Sequence, residues 1–141
     1  MHEIRKQTIS TLGGRLAITV NVAGSGDPVV YLHSAGGFYW DDFLDGLADE
    51  HTVYAPYFPG TEPGVPDGID ALDELWDAVL AYDDLLDGLG LTTTKLIGHS
   101  FLGLLASELA AHLPAPFEKP VLCVPVCFLH PRHPSTWATW F

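Results

Sequence analysis

At 141 residues, 48% of them hydrophobic, the chain is long enough for one domain with a buried core and too short for two. Six Lys and Arg against eighteen Asp and Glu give a net charge of -12, which excludes a nucleic-acid partner, since neutralising phosphates needs a basic patch. No apolar run approaches the roughly 18 residues of a membrane span, the polar start from Met1 to Gln7 carries no apolar leader, and Cys123 and Cys127 sit too close together for a disulfide framework, so a cytoplasmic protein with no membrane partner is the expectation.

Glu3 to Ser10 and Arg15 to Val22 alternate as two strands, and Gly13-Gly14 between them signals a hairpin, so the chain opens antiparallel. After the turn cluster Gly24 to Pro28, the continuous apolar run Val29 to Leu32 has the character of a strand buried on both faces, where a parallel sheet begins. Gly24 and Gly26 do not read as a dinucleotide-binding loop, because a strand rather than a helix follows them. His33-Ser34-Ala35-Gly36-Gly37 then leads into Trp40, Phe43, Leu44 and Leu47 at helical spacing. The pattern is strand, glycine-rich loop, helix, and such a loop lets backbone N–H groups approach a ligand closely. Thr52 to Pro56 reads as another strand, followed by a loop rich in Gly and Pro as far as Gly68. A helix is expected to open at Ile69, with Leu72, Leu75, Trp76, Val79, Leu80 and Leu86 on its apolar stripe and a solvated acidic face opposite. It ends at Gly88-Leu89-Gly90.

A β-rich run from Thr94 to Ile97 then enters the small-residue turn Gly98-His99-Ser100 and leaves as an apolar helix through Leu104, Leu105 and Leu109. That context makes Ser100 a candidate nucleophile on a sharp turn, its Oγ projecting above the sheet edge. A serine of ordinary pKa needs a base within reach and donors for the oxyanion. The alternative is a strand end whose serine merely caps the next helix. The pattern departs from Gly-x-Ser-x-Gly at Leu102, with the glycine one place later, at Gly103. Pro114 and Pro116 stop the helix, and Val121 to Val126 resembles a further strand, with Pro125 marking an edge or an irregular end.

Together the N-terminal hairpin, the loop His33 to Gly37, the segment Ala55 to Gly60 and the turn Gly98 to Gly103 resemble the α/β-hydrolase family over roughly residues 3 to 127. The likeness is closest to its small cofactor-free members, the epoxide hydrolases, haloperoxidases, proline iminopeptidases and carbon–carbon hydrolases. It implies an α/β fold with a mostly parallel sheet and helices on both faces, no cofactor and no metal, and a serine hydrolase acting on a small-molecule ester, amide or related substrate. It further implies Ser100 as nucleophile, the backbone N–H groups of Phe101 and Ala35 as the oxyanion hole, His33 as the residue shaping that loop, and His99 as a neighbour of the serine rather than its base. Leu102, standing where the family has glycine, is expected to strain the turn.

In the family's chain order an acid and then a histidine follow the nucleophile. Here the last carboxylate is Glu118 and the later histidines are His112, His130 and His133, none of which follows the further strands that bring a base to the serine. Residues 1–119 therefore read as the N-terminal part of an α/β-hydrolase domain and 120–141 as a terminal strand and an irregular tail rich in Pro and Trp and free of acidic residues. The expectation is a truncated hydrolase with little or no activity by itself. The competing class is a non-catalytic binding or assembly module that keeps the turn and the loop, with self-association through the exposed sheet edge after Val121 to Val126. A zinc site from Cys123, Cys127, His130 and His133 is too compressed for a finger, and the two cysteines read instead as small core residues of a strand.

Overall fold

The computed structural model describes residues 1–113 and 116–123. Strands β1 (Arg5–Thr11) and β2 (Leu16–Gly24) form the expected hairpin, with Arg5 opposite Val22 and Thr11 opposite Leu16. Then follow β3 (Asp27–Leu32), α1 (Asp42–Ala48), β4 (His51–Pro56), α2 (Leu75–Leu89), β5 (Thr94–His99), α3 (Phe101–His112) and β6 (Phe117–Cys123). They make one mixed sheet in the order β1-β2-β4-β3-β5-β6. β2 runs antiparallel to β4, while β4, β3, β5 and β6 are mutually parallel. The runs Val29 to Leu32 and Lys95 to Gly98 lie side by side, Leu32 opposite Gly98.

The direction of travel sets which face each helix covers. From β3 the chain crosses through α1 to β4 on one side; from β4 it passes through α2 back beyond β3 to β5 on the other. Parallel crossovers share one hand, so opposite directions put their helices on opposite faces. Two separate apolar cores follow. Leu44 and Ala48 of α1 pack with Ala23 and Val53, whereas Val79, Tyr82 and Leu85 of α2 and Leu102, Leu105 and Leu109 of α3 pack with Val20, Val22, Val30, Leu32 and Leu96. Neighbours in sequence such as Val22 and Ala23 divide between the two cores because side chains alternate across a strand.

Three boundaries differ from the sequence expectation, each for a local reason. Helix α1 starts at Asp42 rather than Trp40 because Asp41 is extended and its carboxylate accepts the Leu44 N–H at 3.0 Å, a side-chain cap. The helix expected from Ile69 starts only at Leu75: Pro66–Ala71 forms a 3-10 turn, and the Asp77 carboxylate fixes the true start by accepting from the N–H groups of Asp73 at 2.8 Å and Glu74 at 3.1 Å. β6 begins at Phe117, before Val121, so Glu118 lies inside the strand rather than ahead of it. Pro120 within it lacks an N–H, which is tolerated because β6 is at the sheet edge among the described residues. Cys123 is exposed, not a core residue. Pro114, Val124 to Val126, Cys127 and the rest of the tail lie outside the described residues. Among those described, no helix is long and apolar enough to cross a membrane.

Candidate active site

β3 leads to β4 on one side of the sheet and β5 leads to β6 on the other. Where the order reverses in this way, the loops leaving the carboxyl ends of the two strands diverge and open a crevice. The loop after β3 is His33 to Gly37, and the turn after β5 carries His99, Ser100 and Phe101. Since Leu32 and Gly98 are opposite each other, the four residues His33, Ala35, Ser100 and Phe101 all come to this one edge.

Ser100 has φ 56° and ψ −123°, a backbone that a residue with a Cβ adopts at a cost of about 1–3 kcal/mol. It occupies the N-cap position of α3, yet its side chain makes no cap hydrogen bond, so the capping reading does not account for a serine here. The backbone around it is held instead: the Ser100 N–H donates to the Cys123 carbonyl at 3.0 Å, and the Ser100 carbonyl accepts from the Gly103 N–H at 2.9 Å. The turn is tight because Gly98 allows it. A Cβ at Gly98 would lie 2.5 Å from Ala106 Cβ and 2.9 Å from the Leu102 carbonyl oxygen. The Leu102 side chain is not among the atoms nearest that position. It is 1% exposed and packs into the core with residues of α2, α3 and the sheet.

His33 is 2% exposed. Its Nδ1 lies 2.7 Å from the Ser34 carbonyl, which can only accept, and its Nε2 lies 3.1 Å from the Phe58 N–H, which can only donate. The ring is therefore neutral with its proton on Nδ1, and both nitrogens are engaged, one by the loop after β3 and the other by the turn after β4. His33 is a clamp between two loops and has no nitrogen free to act as a base. The Thr61 hydroxyl steadies the second loop by donating to the Phe58 carbonyl at 2.7 Å. Burial pushes the imidazole below its ordinary pKa, outweighing the upward pull of the Ser34 carbonyl. In the unfolded chain the same group titrates near 6.5, so its contribution to stability is complete above that pH and is lost as the pH falls below it. Thermal unfolding followed from about pH 7.5 to about pH 5 should show a steeper loss of stability in the wild type than in His33→Gln, which has nothing to protonate. Equal slopes would mean that His33 is not the group responsible.

The other groups that follow Ser100 are held away from the crevice. His112 ends α3, about 18 Å along its axis, where it pairs with Glu108 at 3.2 Å and meets the Trp76 ring edge-on. Glu118 is exposed beside Phe117, which pairs with Thr94 at the amino end of the parallel strands, the end opposite Ser100. His130 and His133 lie outside the described residues. Two participants were not anticipated from the sequence: the Phe58 N–H and the Cys123 carbonyl. The pair Pro59-Gly60 could have pointed to the first, because a turn closing a parallel strand must return at the same sheet edge.

Solved structures with a similar course include an epoxide hydrolase from Vigna radiata, 22% identical with a TM-score of 0.80 over 97% of this chain and 45% of that one. A 2-hydroxy-6-oxo-6-phenylhexa-2,4-dienoate hydrolase from Rhodococcus is 23% identical with a TM-score of 0.73 over 89% and 48% of the two chains. The chain has the α/β-hydrolase fold. A haloalkane dehalogenase loop variant from Bradyrhizobium elkanii shares it at 22% identity and a TM-score of 0.74, over 92% of this chain and 42% of that one. This chain thus spans less than half the length of these three α/β-hydrolase-fold structures. No family model and no curated protein matches its sequence.

Proposed function

We propose that the chain carries the nucleophile of a serine hydrolase acting on a small ester, amide or related substrate. The observation behind this is the backbone of Ser100, held at φ 56° and ψ −123° at the head of α3 with its hydroxyl not engaged in capping the helix, beside the crevice where the sheet changes direction. On this reading Ser100 Oγ bonds to the substrate carbonyl carbon as its proton passes to solvent water, the carbonyl π bond opens, and the charge that develops on the carbonyl oxygen is met by two backbone donors. One is the Phe101 N–H, which opens α3 and has no acceptor within the helix. The other is the Ala35 N–H, in the exposed turn closed by the Gly37 N–H on the Ser34 carbonyl at 3.2 Å. His33 positions that turn. The solved neighbours support a hydrolase, and because their names describe different bonds, the substrate class rests on the serine.

Turnover by the chain as given is expected to be slow. In a comparable triad the loss of the base costs about 10⁶ in turnover, and donors and binding alone retain about 10³ to 10⁴ over water. His112 and Glu118 are both held away from the serine, so hydrolysis of p-nitrophenyl acetate and butyrate should stay near background. Acylation is the sharper test. A fluorophosphonate probe should label Ser100, located by mass spectrometry, and should fail to label Ser100→Ala. With the base missing, labelling should be far slower than in an intact hydrolase but faster than in the urea-unfolded chain, where the donors are lost. Labelling no faster than in the unfolded chain, or labelling that persists in Ser100→Ala, would overturn the proposal.

A second reading, a binding or assembly module built on the same turn and loop, draws on β6. At the sheet edge among the described residues, Val121 is half exposed and Cys123 is exposed, and such an edge can pair with that of a second copy of the chain. A single species at monomer mass in light scattering would remove this reading.

A further inference from the structure

The loop that joins β4 to α2 packs on the core through Phe58, Ala71 and Leu72 but leaves part of its apolar surface open. Between its second half, the start of α2 and the first residue of α3 lies a groove of about 360 Å³, lined by Phe58, Ile69, Leu72, Leu75 and Phe101. Its wall is apolar, and two of its large side chains remain open to solvent, Ile69 at 44% and Phe101 at 36%. The Phe58 and Phe101 rings meet edge to face, 5.9 Å between centroids, which gives one wall a fixed shape. Both rings are tied to the crevice: Phe101 is the residue after Ser100, and the Phe58 N–H is the one held by His33. Polar character comes only from Asp73 and Glu74, both acidic, on a chain whose net charge is already -12.

We infer that this groove is the subsite for the apolar part of the substrate, taking an uncharged aromatic ring or short alkyl chain and refusing an anionic one. The inference rests on the reading of Ser100 as nucleophile for its chemistry, though not for binding. Apolar walls favour transfer of a ring or chain out of water. The carboxyl groups at Asp73 and Glu74 are like charges to any anion, and no Lys or Arg lines the groove to offset them. An ester or amide whose side arm is neutral and apolar therefore fits, and one carrying a carboxylate or sulfonate on that arm does not.

Two fluorescent probes with nearly the same rings separate the terms: N-phenyl-1-naphthylamine is neutral, and 1-anilinonaphthalene-8-sulfonate carries a negative charge. Titration into the full chain as wild type and as Ser100→Ala should give saturable binding of the neutral probe, equal in the two. The anionic probe should bind at least about tenfold more weakly. Ile69→Asp, at a partly exposed position and with its folding checked by circular dichroism, should weaken the neutral probe by about tenfold or more. The neutral probe should also slow fluorophosphonate labelling of Ser100. Equal affinity for both probes, no saturable binding, or binding untouched by Ile69→Asp would overturn the groove while leaving Ser100 to its own test. Binding that behaves as expected beside a serine that never labels would overturn the nucleophile and leave the groove as a binding site.

Discussion

Leu102→Gly is expected to lower stability by about 3 to 6 kcal/mol, the reverse of what the departure from the Gly-x-Ser-x-Gly pattern implies. Removing a buried leucine down to Cβ typically costs about 2–5 kcal/mol in lost transfer and cavity terms, and glycine in a helix costs about 1 kcal/mol more than alanine. Relief of strain is not expected to offset this, since the close approach of strand and helix is made at Gly98, where a Cβ would lie 2.5 Å from Ala106 Cβ and 3.0 Å from the Gly103 Cα, while the Leu102 side chain belongs to the core. Leu102→Met, which nearly conserves volume, should cost less than about 1.5 kcal/mol. Urea denaturation of the three proteins decides the matter: a glycine variant at least as stable as the wild type would show that the turn is strained after all.

Gly24→Ala is expected to be comparably damaging, for a backbone reason. Gly24 ends β2 with φ 82°, and a Cβ there would run into the carbonyl oxygens of Ala48 and His51, both main-chain atoms of the link between α1 and β4. The left-handed backbone costs a residue with a Cβ about 1–2 kcal/mol, and forcing the two carbonyls apart adds about 1–3 kcal/mol or more. Gly64 is the natural control, because its φ is 81° with nothing near the position of a Cβ. Gly64→Ala should pay the conformational cost alone, about 1–2 kcal/mol. The difference between the two melting temperatures therefore measures how closely β2 approaches the end of α1, and no difference would falsify the close packing.

Most of the fold was legible because each element carries its own period: Val29 to Leu32 is continuous and apolar as a doubly covered strand must be, and Gly98 with Ser100 marks a turn that few residue types can make. The misplacements have equally local causes. Ile69 and Leu72 recur at helical spacing with Leu75 and Val79, but they sit on a loop ahead of the helix, and apolar spacing does not distinguish a residue on a helix from one just before it. A strand start such as Phe117 was hidden because Glu118 and Pro120 break the apolar run, which an edge strand permits. Within the site, the positions of Ser100, Phe101, His33 and Ala35 at one edge followed from the strand–loop–helix pattern. The partners that hold them did not, since the Phe58 N–H and the Cys123 carbonyl are main-chain groups that every residue has, and only the pairing of distant segments selects them. Leu102 is a related case: the motif records which residue is small in other chains, whereas the close approach here is at Gly98.

The hydrogen bond from the Ser100 N–H to the Cys123 carbonyl ties the turn to the far end of β6, and this has a bearing on the order of events at the ribosome. Chains are made from the N-terminus, and local structure can form as each segment emerges. β5 and α3 can pair and pack as soon as they are outside the exit tunnel, but the amide of the serine between them gains its acceptor only once synthesis has passed Cys123 and β6 has docked. The nascent chain thus carries a complete strand and helix flanking a serine not yet fully tethered, and the backbone geometry of that turn is among the last features to be set.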